Sequence, residues 1–151
     1  MRALRSGRRQ RGAAALEFAL VAPVLLLMML GMIDFGLRLD AEAVVVNAAR
    51  DGARVASLGG DSGQARAAAQ NASYPSATVT VECLLSTDLV TACDDGATYD
   101  VARADKKTTS NVVRVTVTYD YSYITPLAAW IGLNSTANIQ KVSYMRIEGI
   151  S

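Results

Sequence analysis

The sequence predicts an α+β protein in which one long amino-terminal helix crosses a membrane and continues into a small domain. That domain holds a short helix and a roughly three-stranded antiparallel sheet. Three observations carry this expectation. Residues 13–33 are apolar except for one carboxylate, Glu17. Helical spacing then continues beyond the apolar run as far as Gly59-Gly60. After Pro75 the period changes to the alternation of strands.

Residues 1–12 form a basic leader. Arg2, Arg5, Arg8, Arg9 and Arg11 lie there with no acid among them, so the remainder of the chain holds ten basic and fourteen acidic residues. A nucleic-acid binder should carry its positive charge on the folded surface, so this distribution argues against nucleic acid as a partner. A short basic tail fits the cytoplasmic side of a membrane. The apolar segment of residues 13–33 spans roughly 30 Å as a helix, the thickness of a bilayer's hydrocarbon core. A secretory signal peptide is the competing explanation. Its apolar core is usually about 7 to 15 residues, shorter than this run. The nearest small-x-small site, Ala41-Glu42-Ala43, also lies beyond Asp34, Arg38 and Asp40. The segment therefore reads as a retained single-pass helix in the cell membrane, with a cytoplasmic amino terminus and an extracytoplasmic carboxy-terminal domain.

Residues 34–58 continue the helix outside the lipid. Phe35, Leu39, Val46, Ala49 and Ala53 recur near helical spacing, with Asp40, Asn47, Arg50, Asp51 and Arg54 between them. One helix is expected from about Ala13 to Leu58, with Pro23, Gly31 and Gly36 as weak points. Asp34 falls where the helix leaves the lipid, and solvation at the interface accounts for it.

Residues 59–151 form the extracytoplasmic domain. A short alanine-rich helix is expected over residues 62–73, closed by Tyr74-Pro75. In "ATVTVEC" Val79, Val81 and Cys83 share one face, and Thr78, Thr80 and Glu82 the other. "NVVRVTVTYDYSY" repeats this with Val113, Val115, Val117, Tyr119 and Tyr121. A helical turn over "TPLAAWIGL" precedes a third strand in "ANIQKVSYMRIEG", whose alternation is too weak to say which face is buried. Strands so close in sequence pair antiparallel, and their apolar face needs a cover, which the second half of the long helix supplies. The polar stretch of residues 86–111 between the first two strands reads as a loop.

Cys83 and Cys93 are the only cysteines. In an extracytoplasmic domain one disulfide closing the short loop is the simplest outcome, with two free thiols in a reduced compartment as the alternative. A zinc site has little to build on, because the chain has no histidine and only two thiols. The same lack of histidine excludes a histidine-based catalytic triad. Asp34-Phe35-Gly36 matches the magnesium loop of protein kinases, yet the glycine-rich and catalytic loops of kinases are missing. Asn71-Ala72-Ser73 and Asn134-Ser135-Thr136 fit the glycosylation sequon, which matters only in a pathway able to use it. The acid pair Asp94-Asp95 lies among turn-forming residues and reads as solvated surface. No cofactor and no enzymatic activity are expected.

Arg8, Arg9, Arg11 and Gly12, followed by Glu17 at the fifth position after the glycine and by Phe18, resemble a type IV prepilin signal. The continuation "AAALEFALVAPVLLLMMLGMIDFG" with "NAARDGARVAS" resembles the TadE-like pseudopilins of the tight-adherence (Tad/Flp) type IV pilus system, over about residues 8–58. The resemblance implies a pilin-like fold and cleavage between Gly12 and Ala13 by a membrane-embedded prepilin peptidase. It also implies that Glu17, with Phe18 beside it, takes part in assembly by meeting the new amino terminus of a neighbouring subunit and fixing the axial register. An ionised carboxylate in hydrocarbon is costly enough to need such a partner.

The function so implied is that of a minor pseudopilin in assembly of a Flp pilus or a related secretion apparatus. Its partners would be the prepilin peptidase, other pilins or pseudopilins, the pilus assembly platform and membrane lipid. The alternative is an unprocessed single-pass anchor presenting a small binding domain.

Overall fold

The structure, a computed structural model, describes residues 6–90, 92–93, 111–125, 127–130, 132 and 134–147. Its elements run in the order α1 (Ser6–Ser57), α2 (Ser62–Asn71), β1 (Thr78–Leu85), β2 (Asn111–Ser122), α3 (Leu127–Trp130) and β3 (Thr136–Arg146). The α+β class expected from the sequence is therefore present. The acid pair Asp94-Asp95, most of the long polar loop, Arg2, Arg5 and Glu148 lie outside the described residues. Contacts gather the chain into two units. One comprises Met1–Leu37 with Tyr123–Ser135, the other Arg38–Ser122 with Thr136–Ser151.

α1 begins at Ser6, not at Ala13, and passes Gly12, Pro23, Gly31 and Gly36 without interruption. Arginine and glutamine are good helix formers, and a glycine costs a helix only about 1 kcal/mol, so the leader extends the helix already formed by the apolar run. The end of α1 is set by two glycines with different tasks. Gly59 adopts a left-handed φ of 95°. Its N–H bonds the Ala56 carbonyl at 3.2 Å, and the Gly60 N–H bonds the Val55 carbonyl at 2.9 Å, a Schellman closure. Gly60 is required for space, since a Cβ there would fall 2.6 Å from Val55 Cγ1. Asp61 then caps α2 through a reciprocal pair. Its Oδ1 accepts from the Gln64 N–H at 2.7 Å, and Gln64 Oε1 accepts from the Asp61 N–H at 3.1 Å.

In the second unit the sheet has the order β1-β2-β3, antiparallel throughout. Val79, Val81 and Cys83 of β1 lie opposite Val117, Val115 and Val113 of β2. Those three β2 valines in turn lie opposite Lys141, Ser143 and Met145 of β3. This inner face packs against the later part of α1. The buried stripe of α1 is Ala41, Val45, Ala48, Ala49, Gly52, Ala53 and Ala56, at spacings of three and four. Phe35 and Leu39, expected on that stripe, are exposed instead. Small side chains, not large ones, mark the packed face, because they let α1 approach α2 and β2 closely. A Cβ added to Gly52 would lie 2.9 Å from Ala69 Cβ of α2 and 3.1 Å from Val115 Cγ1 of β2.

The third strand explains its own weak pattern. Its inward positions are Ala137, Ile139, Lys141, Ser143 and Met145, while Val142 and Tyr144 face the exposed side. The inward lysine is tolerated because Lys141 Nζ donates to Glu42 Oε2 of α1 at 2.9 Å. On the outer face Arg114 bonds Glu82 across the strands at 2.6 Å, with Tyr144 as the next residue in that row.

Candidate functional site

α1 is long and apolar enough to cross a membrane, and none of its most apolar stretch is buried. From Leu16 to Ile33 twelve large apolar side chains stand open, among them Phe18, Leu25, Met28 and Met32. At about 1 to 2 kcal/mol each, leaving them in water would cost roughly 10 to 20 kcal/mol, as much as a small domain's entire folding stability. This half of the helix is thus suited to lipid or to packing among other helices.

Glu17 is exposed on this bare surface, with Ala13 one turn before it on the same side of the helix. Gly12 is also open, with no atom within 4 Å of an added Cβ. The peptide bond between Gly12 and Ala13 is accessible, but it lies inside the helix because α1 starts at Ser6. Side-chain positions of Arg8, Arg9 and Arg11 lie outside the described residues.

Asp34 departs from the solvated boundary residue expected from the sequence. Only 6% of it is exposed. Its carboxylate accepts a hydrogen bond from the Ile124 backbone N–H at 3.3 Å and another from the Thr125 hydroxyl. Both donors belong to the connection between β2 and β3, which shares a unit with the first part of α1. The base of that connection is closed by the Tyr123 N–H on the Ser135 carbonyl at 3.0 Å. A carboxylate taken out of water needs such donors, and these are charge-assisted bonds. The apolar composition of "YITPLAAWIGL" was the available signal for this connection, but its pairing with Asp34 spans ninety residues of chain.

Cys83 and Cys93 form a disulfide with Cα atoms 5.4 Å apart. Around it the Cys93 N–H donates to the Cys83 carbonyl at 3.2 Å, and Leu84 makes an isolated bridge with Ala92. The crosslink thus extends a short antiparallel return beyond the end of β1. Among the described residues no group of three or more acidic, cysteine or histidine residues is placed to hold a metal ion.

The exposed apolar helix, the early glutamate and the small-residue packing stripe all lie within one stretch of sequence. The family model described as TadE-like protein matches residues 12–54. Over that stretch the chain is similar to TadE-like proteins. The TadE-like stretch starts at Gly12 and includes Glu17, Phe18, Asp34 and the close-contact Gly52. No curated protein and no solved structure matches the chain.

Within the TadE-like stretch the structure separates two kinds of residue. Ala48, Ala49, Gly52 and Ala53 of "NAARDGAR" are buried in the packing of α1 on its own domain. Glu17 and Phe18 contribute nothing to that packing and remain open.

Proposed function

We propose that this protein is a minor pseudopilin of a tight-adherence (Flp) pilus or related secretion apparatus. In this reading it is a single-pass protein of the cell membrane, with a cytoplasmic leader and an extracytoplasmic sheet domain. A prepilin peptidase removes residues 1–12 and leaves Ala13 as the amino terminus. The mature helix then packs with those of other pilins or pseudopilins at the pilus assembly platform. The protein acts by assembly and not by turnover.

The observation that carries this reading is Glu17, the sole ionisable side chain in an apolar run whose surface is otherwise bare. A charge at the centre of a span costs about 3 kcal/mol even on lenient insertion scales, and Glu17, the fifth residue of the run, still bears part of that cost. Cleavage before Ala13 creates an α-ammonium one helical turn, about 6 Å, from the level of Glu17, so the terminus of a neighbouring subunit displaced by that turn offsets the cost and sets the stagger between helices. Processing also has a structural requirement. The scissile bond is helical in the precursor, and Gly12 lowers the cost of unwinding it locally by about 1 kcal/mol relative to alanine.

The experiment is Glu17→Ala in the native host. Membrane insertion, read by resistance to alkaline extraction, is expected to persist, because removing a charge favours the span. Co-purification with partner pilins and piliation are expected to fall. Normal levels of both in the variant would defeat the role given to Glu17.

A further inference from the structure

The connection between β2 and β3 has a composition unlike the rest of the sheet domain. From Tyr123 to Ser135 it contains no Asp, Glu, Lys or Arg, while Ile124, Leu127, Trp130, Ile131 and Leu133 make it strongly apolar. Among its described side chains the two large apolar ones are exposed, Ile124 being 73% open and Trp130 83% open. A tryptophan so exposed is unusual, since the side chain is normally well buried. The Gly132 N–H bonds the Ala129 carbonyl at 3.2 Å, with Gly132 at a left-handed φ of 77°, so the tip is a formed turn following α3.

Two further facts locate this turn. Asp34 holds it by accepting from Ile124 and Thr125. Asp34 also directly follows the 21-residue run of residues 13–33, whose helical length matches the hydrocarbon core. Where that run spans a bilayer, Asp34 stands at its extracytoplasmic boundary and the turn stands at headgroup level. Tryptophan is enriched at this level because its ring is apolar and its indole N–H can stay hydrated.

We infer that the connection between β2 and β3, through Ile124 and Trp130, is a second membrane anchor, seated in the headgroup region of the lipid bilayer and positioned there by Asp34. The inference rests on residues 13–33 being a bilayer span. Its occupant is lipid, because the turn is uncharged, apolar and continuous with the lipid-suited half of α1. Asp34 acts as a positioning residue. It exchanges water for two donors of the turn, Ile124 and Thr125, and so holds the turn beside the end of the span.

Trp130 is the only tryptophan, which makes it a native probe. The full chain is reconstituted into phosphatidylcholine–phosphatidylglycerol vesicles carrying a spin label near the headgroup or at the end of the acyl chain. The expected result is blue-shifted emission, stronger quenching by the shallow label than by the deep one, and weak quenching by aqueous iodide. Asp34→Asn, and separately Thr125→Val, are expected to weaken docking of the turn by roughly tenfold, about the effect of losing one charge-assisted hydrogen bond. Both variants are therefore expected to show less lipid quenching and more iodide quenching. Water-like emission with free access to iodide, in protein that still resists alkaline extraction, would overturn the anchor while leaving the span intact. Extraction of the protein at alkaline pH would instead remove the span itself. Emission that shifts to the blue only as protein density in the vesicles rises would replace lipid with a second protein as the occupant. Unchanged quenching in both variants would overturn the role of Asp34.

Discussion

Gly52 of α1 stands so close to Ala69 of α2 that a Cβ at Gly52 would lie 2.9 Å from Ala69 Cβ and 2.9 Å from the Ala65 carbonyl oxygen. No real Cβ keeps such distances, so the contact between these two helices depends on the missing side chain. Gly52→Ala gains about 1 kcal/mol of helix propensity but forces apart a contact whose overpacking costs about 1 to 3 kcal/mol. A net loss of stability is expected, larger for Gly52→Leu. Thermal unfolding in detergent, followed by far-ultraviolet circular dichroism, measures it. Ala69→Gly in the Gly52→Ala background is expected to recover part of the loss, and simple additivity would show that the two residues do not share the contact.

Glu42 and Lys141 give the fold a defined response to acid. The hydrogen bond from Lys141, followed by the charge of the same lysine, holds the Glu42 carboxyl below its ordinary range. A lowered folded-state value means stabilisation that is present above the unfolded carboxylate range and lost as pH falls through the folded value. The melting temperature of the wild type is therefore expected to decline on acidification through this window. Lys141→Met is expected to flatten that part of the profile and move Glu42 up towards its ordinary value, readable as a side-chain carboxyl shift by NMR. An unshifted Glu42 in the variant would remove Lys141 as the cause.

The disulfide is expected to stabilise the return after β1 by restricting the unfolded chain. Cys83→Ser with Cys93→Ser is expected to cost about 2 to 3 kcal/mol, typical of a short closed loop. Urea unfolding of the detergent-solubilised protein measures the difference. Alkylation of both cysteines without reductant, in protein taken from intact envelopes, would show that the bond does not form in place.

Where sequence and structure agree or part follows from how local each signal is. The alternation of Val113, Val115 and Val117 is complete within β2, and all three are buried. The register of β3 was not readable because Lys141 faces inward and Val142 and Tyr144 outward. What permits this is Glu42, ninety-nine residues away. The packed face of α1 differs from the expectation at Phe35 and Leu39 for a related reason. Hydrophobic size marks those two residues, whereas the face is selected by closeness, and Ala48, Ala49 and Gly52 carry little hydrophobic signal. Asp34 looked like a solvated boundary residue because its donors, Ile124 and Thr125, lie in a distant connection. Among the proposed assembly residues the position is reversed. Gly12, Glu17 and Phe18 make a pattern in sequence, and the described structure leaves them open and without a local packing task.

The measurement that bears most directly on the pseudopilin reading is the intact mass and amino-terminal sequence of the membrane-extracted protein, expressed with and without its cognate prepilin peptidase. The account predicts loss of residues 1–12, with Ala13 first, only when the peptidase is present. It also predicts that replacing Gly12 with a bulky residue abolishes this loss. A full-length amino terminus under both conditions would contradict it and leave an unprocessed membrane anchor carrying a sheet domain.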